Sequence, residues 1–215
     1  MSAARRRILL LALALFGVLA AYIFVPRHPD LRIFDPAAMA SAETAMWRHY
    51  YEKRYAALFY DLYEVARDQQ HFSPWESLSL ALSAARAAKS FQPSHSRAEA
   101  DAALPQLVAY FRVLSRAAPA KADLALLART ELDWWQARRE AVPPETYGLT
   151  VARVSALLYG VDNDELRQSG ILRAKAMAYR DARSEQMSDA DWAAIAEQLG
   201  ASYALLKHAV SGPPH

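Results

Sequence analysis

The chain has 215 residues, with 11 prolines, six glycines and no cysteine. The lack of cysteine excludes disulfide scaffolds, zinc ribbons and thiol catalysis. Low glycine content with abundant Ala, Leu, Arg and Glu favours helices, because these side chains lose little rotamer freedom in a helix. We therefore expect an all-α protein with one domain that is large enough to bury a core.

The N-terminus predicts a membrane anchor. Residues 8–25 are 18 consecutive uncharged residues, and they follow Arg5, Arg6 and Arg7. As a helix this run is about 27 Å long, close to the thickness of a bilayer core. Basic residues that precede a span stay in the cytoplasm. We therefore expect residues 1–25 to cross a bacterial inner membrane once, with the C-terminal domain in the periplasm.

A cleaved signal peptide is the alternative interpretation of this segment. Val18, Leu19 and Ala20 include the small residues that signal peptidase accepts. The apolar run continues to Val25, however, and so exceeds the roughly 7–15 residues of an ordinary signal-peptide core. We favour an uncleaved anchor, followed at residues 26–35 by a short tether that lifts the domain off the membrane.

The charge of the domain argues against nucleic acid as a partner. The whole chain has 25 Lys and Arg against 23 Asp and Glu. Residues 1–28 hold four arginines and no acidic residue, so the remaining residues have 21 basic and 23 acidic side chains and a net charge of −2. This balance gives no indication of a basic face for a nucleic acid, so we do not expect nucleic acid as a partner.

Helix-start patterns and apolar periodicity predict about seven helices after the anchor. Asp35 and Pro36 begin the first helix, which we expect to be the longest and to run without a break to about Gln70. Ser73 and Pro74 begin the second helix in the same way.

A third helix is predicted from Ser96, which forms a capping box with Glu99, and Pro105 should bend or restart it. Four more helices are predicted at about 121–140, 145–159, 162–186 and 188–210. The last residues, 211–215, are expected to form a disordered tail. Residues 36–210 are therefore predicted to form an α-helical bundle or stacked helical hairpins.

No catalytic or cofactor-binding motif is complete in the sequence. The Glu-x-x-His pairs of di-iron bundles, the Gly-x-Ser-x-Gly nucleophile elbow and phosphate-binding glycine loops are all missing. The six histidines lack the i, i+4 pairing that many metal sites use. We expect no metal and no cofactor. The missing motifs also favour a protein that is not an enzyme, although the sequence alone does not decide between the two.

Charged residues on apolar helix faces are the strongest indication of a site. Glu43 lies on the aromatic face of the first helix and Glu131 on the apolar face of the fourth, while Arg173 and Arg180 share a face of the sixth. Buried charges persist only when they are paired, so we expect the two glutamates to accept hydrogen bonds from the two arginines. Six further residues are predicted to join this cluster: Lys89, Arg97, Tyr50, Tyr51, Trp134 and Trp135.

Three interpretations of the cluster stay open: a structural ion network, a ligand pocket, or acid/base catalysis by Glu43 or Glu131. Because no catalytic set can be assembled, the first hypothesis is an accessory or scaffold subunit that docks a partner protein or a second copy of itself. The alternative is a small-ligand-binding protein or enzyme that uses the Glu/Arg cluster. Core packing is the first interpretation of the aromatic residues of the first helix. Alternatively, some of four residues would face a partner helix or the bilayer surface and mark an interface: Tyr55, Phe59, Tyr60 and Tyr63.

Overall fold

The computed structural model describes residues 3–27, 29–184 and 186–211. Within these residues every regular element is a helix and there is no strand, which confirms the all-α class. Beyond Ser211 the predicted disordered tail lies outside the described residues. The helices are α1 Ala3–Phe24, α2 Pro36–Tyr51, α3 Tyr55–Glu64, α4 Pro74–Phe91, α5 Arg97–Ala100, α6 Leu104–Leu114, α7 Leu124–Arg139, α8 Pro144–Tyr159, α9 Asp164–Arg183 and α10 Asp189–Val210. A π-helical turn, Val65–Gln69, continues α3, and a 3₁₀ turn, Asp101–Ala103, joins α5 to α6.

Eight longer helices in the described part of the chain form a closed ring. From α2 onward, leaving out the four-residue α5, each helix packs against the next, and α10 returns to pack against α2. The sequence predicted about seven helices in a bundle or in stacked hairpins. The structure has eight, because the first predicted helix is divided into α2 and α3.

Three groups of buried side chains hold the ring together. The largest lies among α4, α6, α7, α8 and α9 and includes Phe111 and Leu132. A second group, around Trp192 and Ile195, joins α2, α9 and α10. A third, around Leu166, joins α8 and α9 to the end of α10. The closure of the ring is therefore stabilised by apolar burial.

A residue in the left-handed region, Lys53, ends α2 and turns the chain back into α3. Its φ is 57°. The Arg54 N–H donates to the His49 carbonyl at 2.8 Å, and the Lys53 N–H donates to the Tyr50 carbonyl at 3.1 Å. This pair of bonds is the Schellman arrangement, in which glycine usually holds the left-handed position. The prediction of an unbroken helix to Gln70 is wrong, because nothing in the sequence marks a lysine for this role.

Most other helix ends agree with the sequence. Pro105 restarts the third predicted helix, and Gly160, at φ 71°, ends α8. The capping box predicted at Ser96 is only half formed. The Ser96 hydroxyl accepts from the Glu99 N–H, but the Glu99 carboxylate accepts from the His95 N–H, one residue earlier than expected.

The segment between α1 and α2 packs on the domain. Leu31 is buried, and its N–H donates to the Ala117 carbonyl at 3.0 Å. The Lys207 ammonium donates to the Arg32 carbonyl at 2.6 Å. Leu31 and Arg32, in the second half of the predicted tether 26–35, therefore pack against the domain.

Helix α1 is long and apolar enough to cross a membrane. The stretch that meets this criterion is Arg5–Phe24, and none of its residues is buried against the rest of the protein. The end of this helix nevertheless touches the domain. The rings of Phe24 and Trp75 lie 5.6 Å apart, and Arg67 donates to the Tyr22 hydroxyl at 3.2 Å.

Two glycines allow α8 and α9 to approach closely. A Cβ added at Gly148 would lie 2.6 Å from the Ile171 Cα, and one added at Gly170 would lie 2.6 Å from the Ala152 backbone nitrogen. Both distances are far inside van der Waals contact, and the atoms that would be met belong to the backbone. The crossing of these two helices therefore depends on the lack of a side chain at each position.

We predict that Gly170→Ala lowers the free energy of unfolding by about 1–3 kcal/mol, because the two helices must separate to admit the methyl group. The measurement is a denaturant melt. Gly200→Ala is the matched control, since an added Cβ there meets nothing within 4 Å and alanine is the better residue inside a helix. Equal midpoints for the Gly170→Ala variant and the wild type would contradict the close crossing.

Candidate functional site

A cavity of about 360 Å³ lies between six helices of the ring, α2, α3, α4, α6, α7 and α9. This volume is within the range of small-molecule sites. Most of its wall is aliphatic or aromatic. Four charged side chains also line it: Glu43, Glu131, Arg138 and Arg173.

The helical repeat places the lining residues on single faces. One face of α2 supplies residues at i, i+3, i+4, i+7 and i+8: Glu43, Met46, Trp47, Tyr50 and Tyr51. One face of α7 supplies residues at i, i+3, i+4 and i+7: Glu131, Trp134, Trp135 and Arg138. Seven of the ten residues predicted as a cluster therefore line one cavity: Glu43, Glu131, Arg173, Tyr50, Tyr51, Trp134 and Trp135.

Glu43, which is buried, forms an ion pair between α2 and α9 with the half-buried Arg173. The Arg173 Nε and Nη2 donate to the Glu43 Oε1 at 2.8 and 2.5 Å, and the Tyr203 hydroxyl of α10 donates to Oε2 at 2.7 Å. Burial alone would lower the pKa of Arg173, but the charge and the hydrogen bonds of Glu43 outweigh it and raise that pKa. Burial also raises the pKa of Tyr203 far above its usual value, so the hydroxyl stays a donor.

Glu131 has no ion pair among the described residues. The Trp135 indole N–H donates to its Oε1 at 2.9 Å. The Trp134 indole approaches the same carboxylate, but outside hydrogen-bonding geometry, and its Nε1 is buried without a partner. Burial raises the pKa of Glu131, and the indoles and the charge of Arg173 offset this only in part. The expected pairing of Glu131 with an arginine is wrong, because Glu43 takes the nearby guanidinium.

Arg180 belongs to a second group, with Arg138, Asp181 and Tyr51. The Arg138 Nε and Nη2 donate to the two Asp181 oxygens at 2.9 and 2.8 Å, and Nη2 also donates to the Tyr51 hydroxyl at 2.5 Å. The Arg180 guanidinium lies over the Tyr51 ring, 3.1 Å from its centre, with its Nη1 3.5 Å from Asp181. Arg180 therefore pairs with Asp181 rather than with either glutamate.

Lys89 and Arg97 do not belong to the cluster. Both side chains are exposed at helix ends. Arg97 pairs with Glu140 on the surface, where its Nε donates to Oε1 at 2.8 Å. Their places on apolar stripes were misleading, because a long cationic side chain can run along an apolar face and still reach water.

Several polar side chains at the site were not among the predicted ones, and Arg138, Tyr110 and Tyr203 are the most important for its chemistry. Arg138 follows Glu131 by seven residues on α7, and this spacing could have identified it. Tyr110 lines the cavity from α6, and burial, with the charge of Glu131, raises its pKa to about 12. Tyr203 lies in an amphipathic stripe of α10, where a tyrosine is not distinguishable from an ordinary core residue.

Among the residues that the structure describes, no three His, Asp or Glu side chains gather closely enough to hold a metal ion. No known protein-family profile matches the chain, and comparisons with curated proteins and with solved structures find no match either. Inferences about function therefore start from the cavity and its side chains.

We predict that Glu131→Gln raises stability at neutral pH. The folded protein holds the Glu131 proton more tightly than the unfolded chain, in which the pKa is near the ordinary value of 4.5. The wild type therefore loses stability as the pH rises through the folded-state pKa, whereas glutamine is neutral throughout. The advantage of the variant should grow from acid to neutral pH in a series of denaturant melts.

Glu43→Gln is the matched control for this substitution. It should lower the free energy of unfolding by about 2–3 kcal/mol, because it leaves the half-buried guanidinium of Arg173 without its counter-charge. A loss of stability in Glu131→Gln as large as that in Glu43→Gln would show that Glu131 is paired after all.

Proposed function

We propose that this protein is a membrane-tethered domain that binds a small, largely apolar molecule in the cavity inside its ring of helices. The cavity supports the proposal most directly, with its volume of about 360 Å³ and its mainly aromatic and aliphatic wall. An apolar molecule that covered this wall would remove apolar surface from water, and that burial favours binding.

The two glutamates of the cavity support binding over a purely structural role. Both oxygens of Glu43 are engaged, and a structural ion network accounts for this residue in full. Glu131 is different, because its burial raises its pKa and no arginine neutralises it within bonding distance. Carboxylates perturbed in this way inside a cleft are typical of functional sites. If the bound molecule is a substrate, Glu131 is the candidate general acid or base.

Helix α1 would hold the domain at a membrane. An exposed helix as apolar as Arg5–Phe24 is rare in water and fits a bilayer core. The basic residues before it favour a cytoplasmic N-terminus, so the cavity would lie in the periplasm of a bacterium. Because Phe24 touches Trp75 and Tyr22 touches Arg67, the domain would rest on the membrane surface, where tryptophan is enriched.

Docking of a partner protein is the second candidate function. Tyr55 and Tyr60 of α3 are 53% and 61% exposed, and exposed aromatic side chains are enriched at protein interfaces. Loss of a co-purifying protein on replacement of both tyrosines by serine would favour this function.

We predict that Ala88→Trp abolishes binding of an apolar dye. Ala88 lines the cavity from α4, so the indole would occupy the space that the dye needs. The probe is N-phenylnaphthylamine, an uncharged dye whose fluorescence rises in apolar surroundings. Lys89→Trp is the matched control, since the adjacent side chain is exposed and lies outside the cavity. No dye binding by the wild type, or equal binding by both variants, would contradict the proposal.

We predict that the full chain, expressed in a bacterium, stays in the membrane pellet after alkaline carbonate extraction. Leu11→Arg combined with Leu15→Arg should release it, because each arginine near the centre of a span costs about 2.5–3.5 kcal/mol. Leu126→Arg with Leu149→Arg is the control, as both leucines are exposed outside α1. The intact mass of the extracted wild type distinguishes the uncleaved chain from one processed near Ala20. A soluble wild type would refute the tether.

A further inference from the structure

Among the charged residues that line the cavity, the contacts leave one acidic group without a counter-charge. Arg173 is paired with Glu43, whose second oxygen accepts from Tyr203. Arg138 is paired with Asp181 through two hydrogen bonds. The remaining lining charge is the carboxylate of Glu131.

Arg180 does not compensate Glu131. Arg138 and Arg180 both pair with the single carboxylate of Asp181, so these three side chains together have one positive charge in excess. The Arg180 guanidinium lies over the Tyr51 ring, however, and this residue is not among those that line the cavity. A ligand inside the cavity would therefore meet Glu131 as its uncompensated charge.

The surroundings of Glu131 are aromatic. Trp134 and Trp135 follow it on α7, with their rings 6.0 Å apart, and the Phe91 ring of α4 packs edge-on against Trp135 at 5.2 Å. Tyr110 lines the same space from α6. The faces of such rings attract cations, most strongly when water is displaced.

Two of these rings already attract a cation within the protein, since the Arg139 guanidinium lies 3.6 Å from the centre of the Phe91 ring and the Arg173 guanidinium 5.5 Å from the centre of the Trp134 ring. The rings that remain for a ligand are those of Trp135 and Tyr110.

We propose that the ligand of this cavity is an amine, whose ammonium group binds between the Glu131 carboxylate and the aromatic rings. Its apolar body would occupy the space beside Leu58 and Leu62 of α3, which line the cavity. The Trp135 N–H orients the carboxylate through Oε1, and the ligand N–H would donate to the same group. This inference rests on the proposed function, namely that the cavity binds a small molecule.

A cation fits this site better than an anion or a neutral molecule. An anion would be repelled by Glu131, and the guanidinium groups of Arg138 and Arg173 already have carboxylate partners. A neutral apolar ligand would displace water from the carboxylate without replacing its charge interaction, which is unfavourable. An ammonium group supplies both a hydrogen bond and the missing charge.

The test compares three probes with the same apolar body: phenylbutylamine, phenylbutanol and phenylbutyrate. The affinity of each probe is measured by its competition with N-phenylnaphthylamine for the full-length protein in detergent, at neutral pH. The amine should bind at least about tenfold more tightly than the alcohol, since a charge-assisted hydrogen bond is worth this factor or more. The carboxylate should bind most weakly.

Two variants test whether Glu131 causes the preference for the amine over the alcohol. In Glu131→Gln the affinity for the amine should fall to that for the alcohol. Asp133→Asn is the matched control, because it removes a carboxylate two residues away on α7 that does not line the cavity, and it should keep the preference for the amine. An amine preference that persists in Glu131→Gln would overturn the assignment.

The outcomes separate this inference from the proposed function. Binding of the dye and of the alcohol, with no advantage for the amine, would refute the ligand class and leave the cavity as a binding site. Failure of the dye and of all three probes to bind would refute the proposed function itself.

Discussion

The ion pair between Glu43 and Arg173 is the interaction on which the arrangement of this protein depends. It joins α2 to α9, and Tyr203 connects the same carboxylate to α10, so three helices meet where the ring closes. Removal of either partner would leave the other charge desolvated and unpaired, which is strongly destabilising. The pair also affects the character of the cavity, because it engages Arg173, whose charge offsets the effect of burial on Glu131 only in part.

The turn at Lys53 is a second constraint on the arrangement of the helices around the cavity. Had α2 continued, Leu58 and Leu62 could not line the cavity beside the side chains of α2. The left-handed lysine costs roughly 1–2 kcal/mol, and the return of α3 supplies contacts that offset this cost. One of them joins His49 on α2 to Asp61 on α3, with the Nδ1 and Oδ2 atoms 2.5 Å apart.

The sequence predicted which residues share a helix face, but not which faces meet. Glu43 and Glu131 were placed correctly toward the interior, since periodicity alone determines the side of a helix that is apolar. Whether Arg173 or Arg180 reaches a glutamate depends on how far along α9 the partner helix crosses, which is a property of tertiary packing. The turn at Lys53 was missed for a related reason, because its stabilising contacts come from another helix and leave no local pattern.

The ring is packed unevenly, and this explains where its free space lies. Gly148 and Gly170 bring the backbones of α8 and α9 into close approach, and neither α8 nor α10 lines the cavity. Large rings form much of the wall of the cavity, notably those of Trp47, Trp134 and Trp135. Residues that bulky could have filled the interior, yet they surround a space that contains a carboxylate whose burial lowers stability. Stability alone would favour a neutral side chain at position 131, and the amine that we propose as ligand would offset the cost of the carboxylate when it binds.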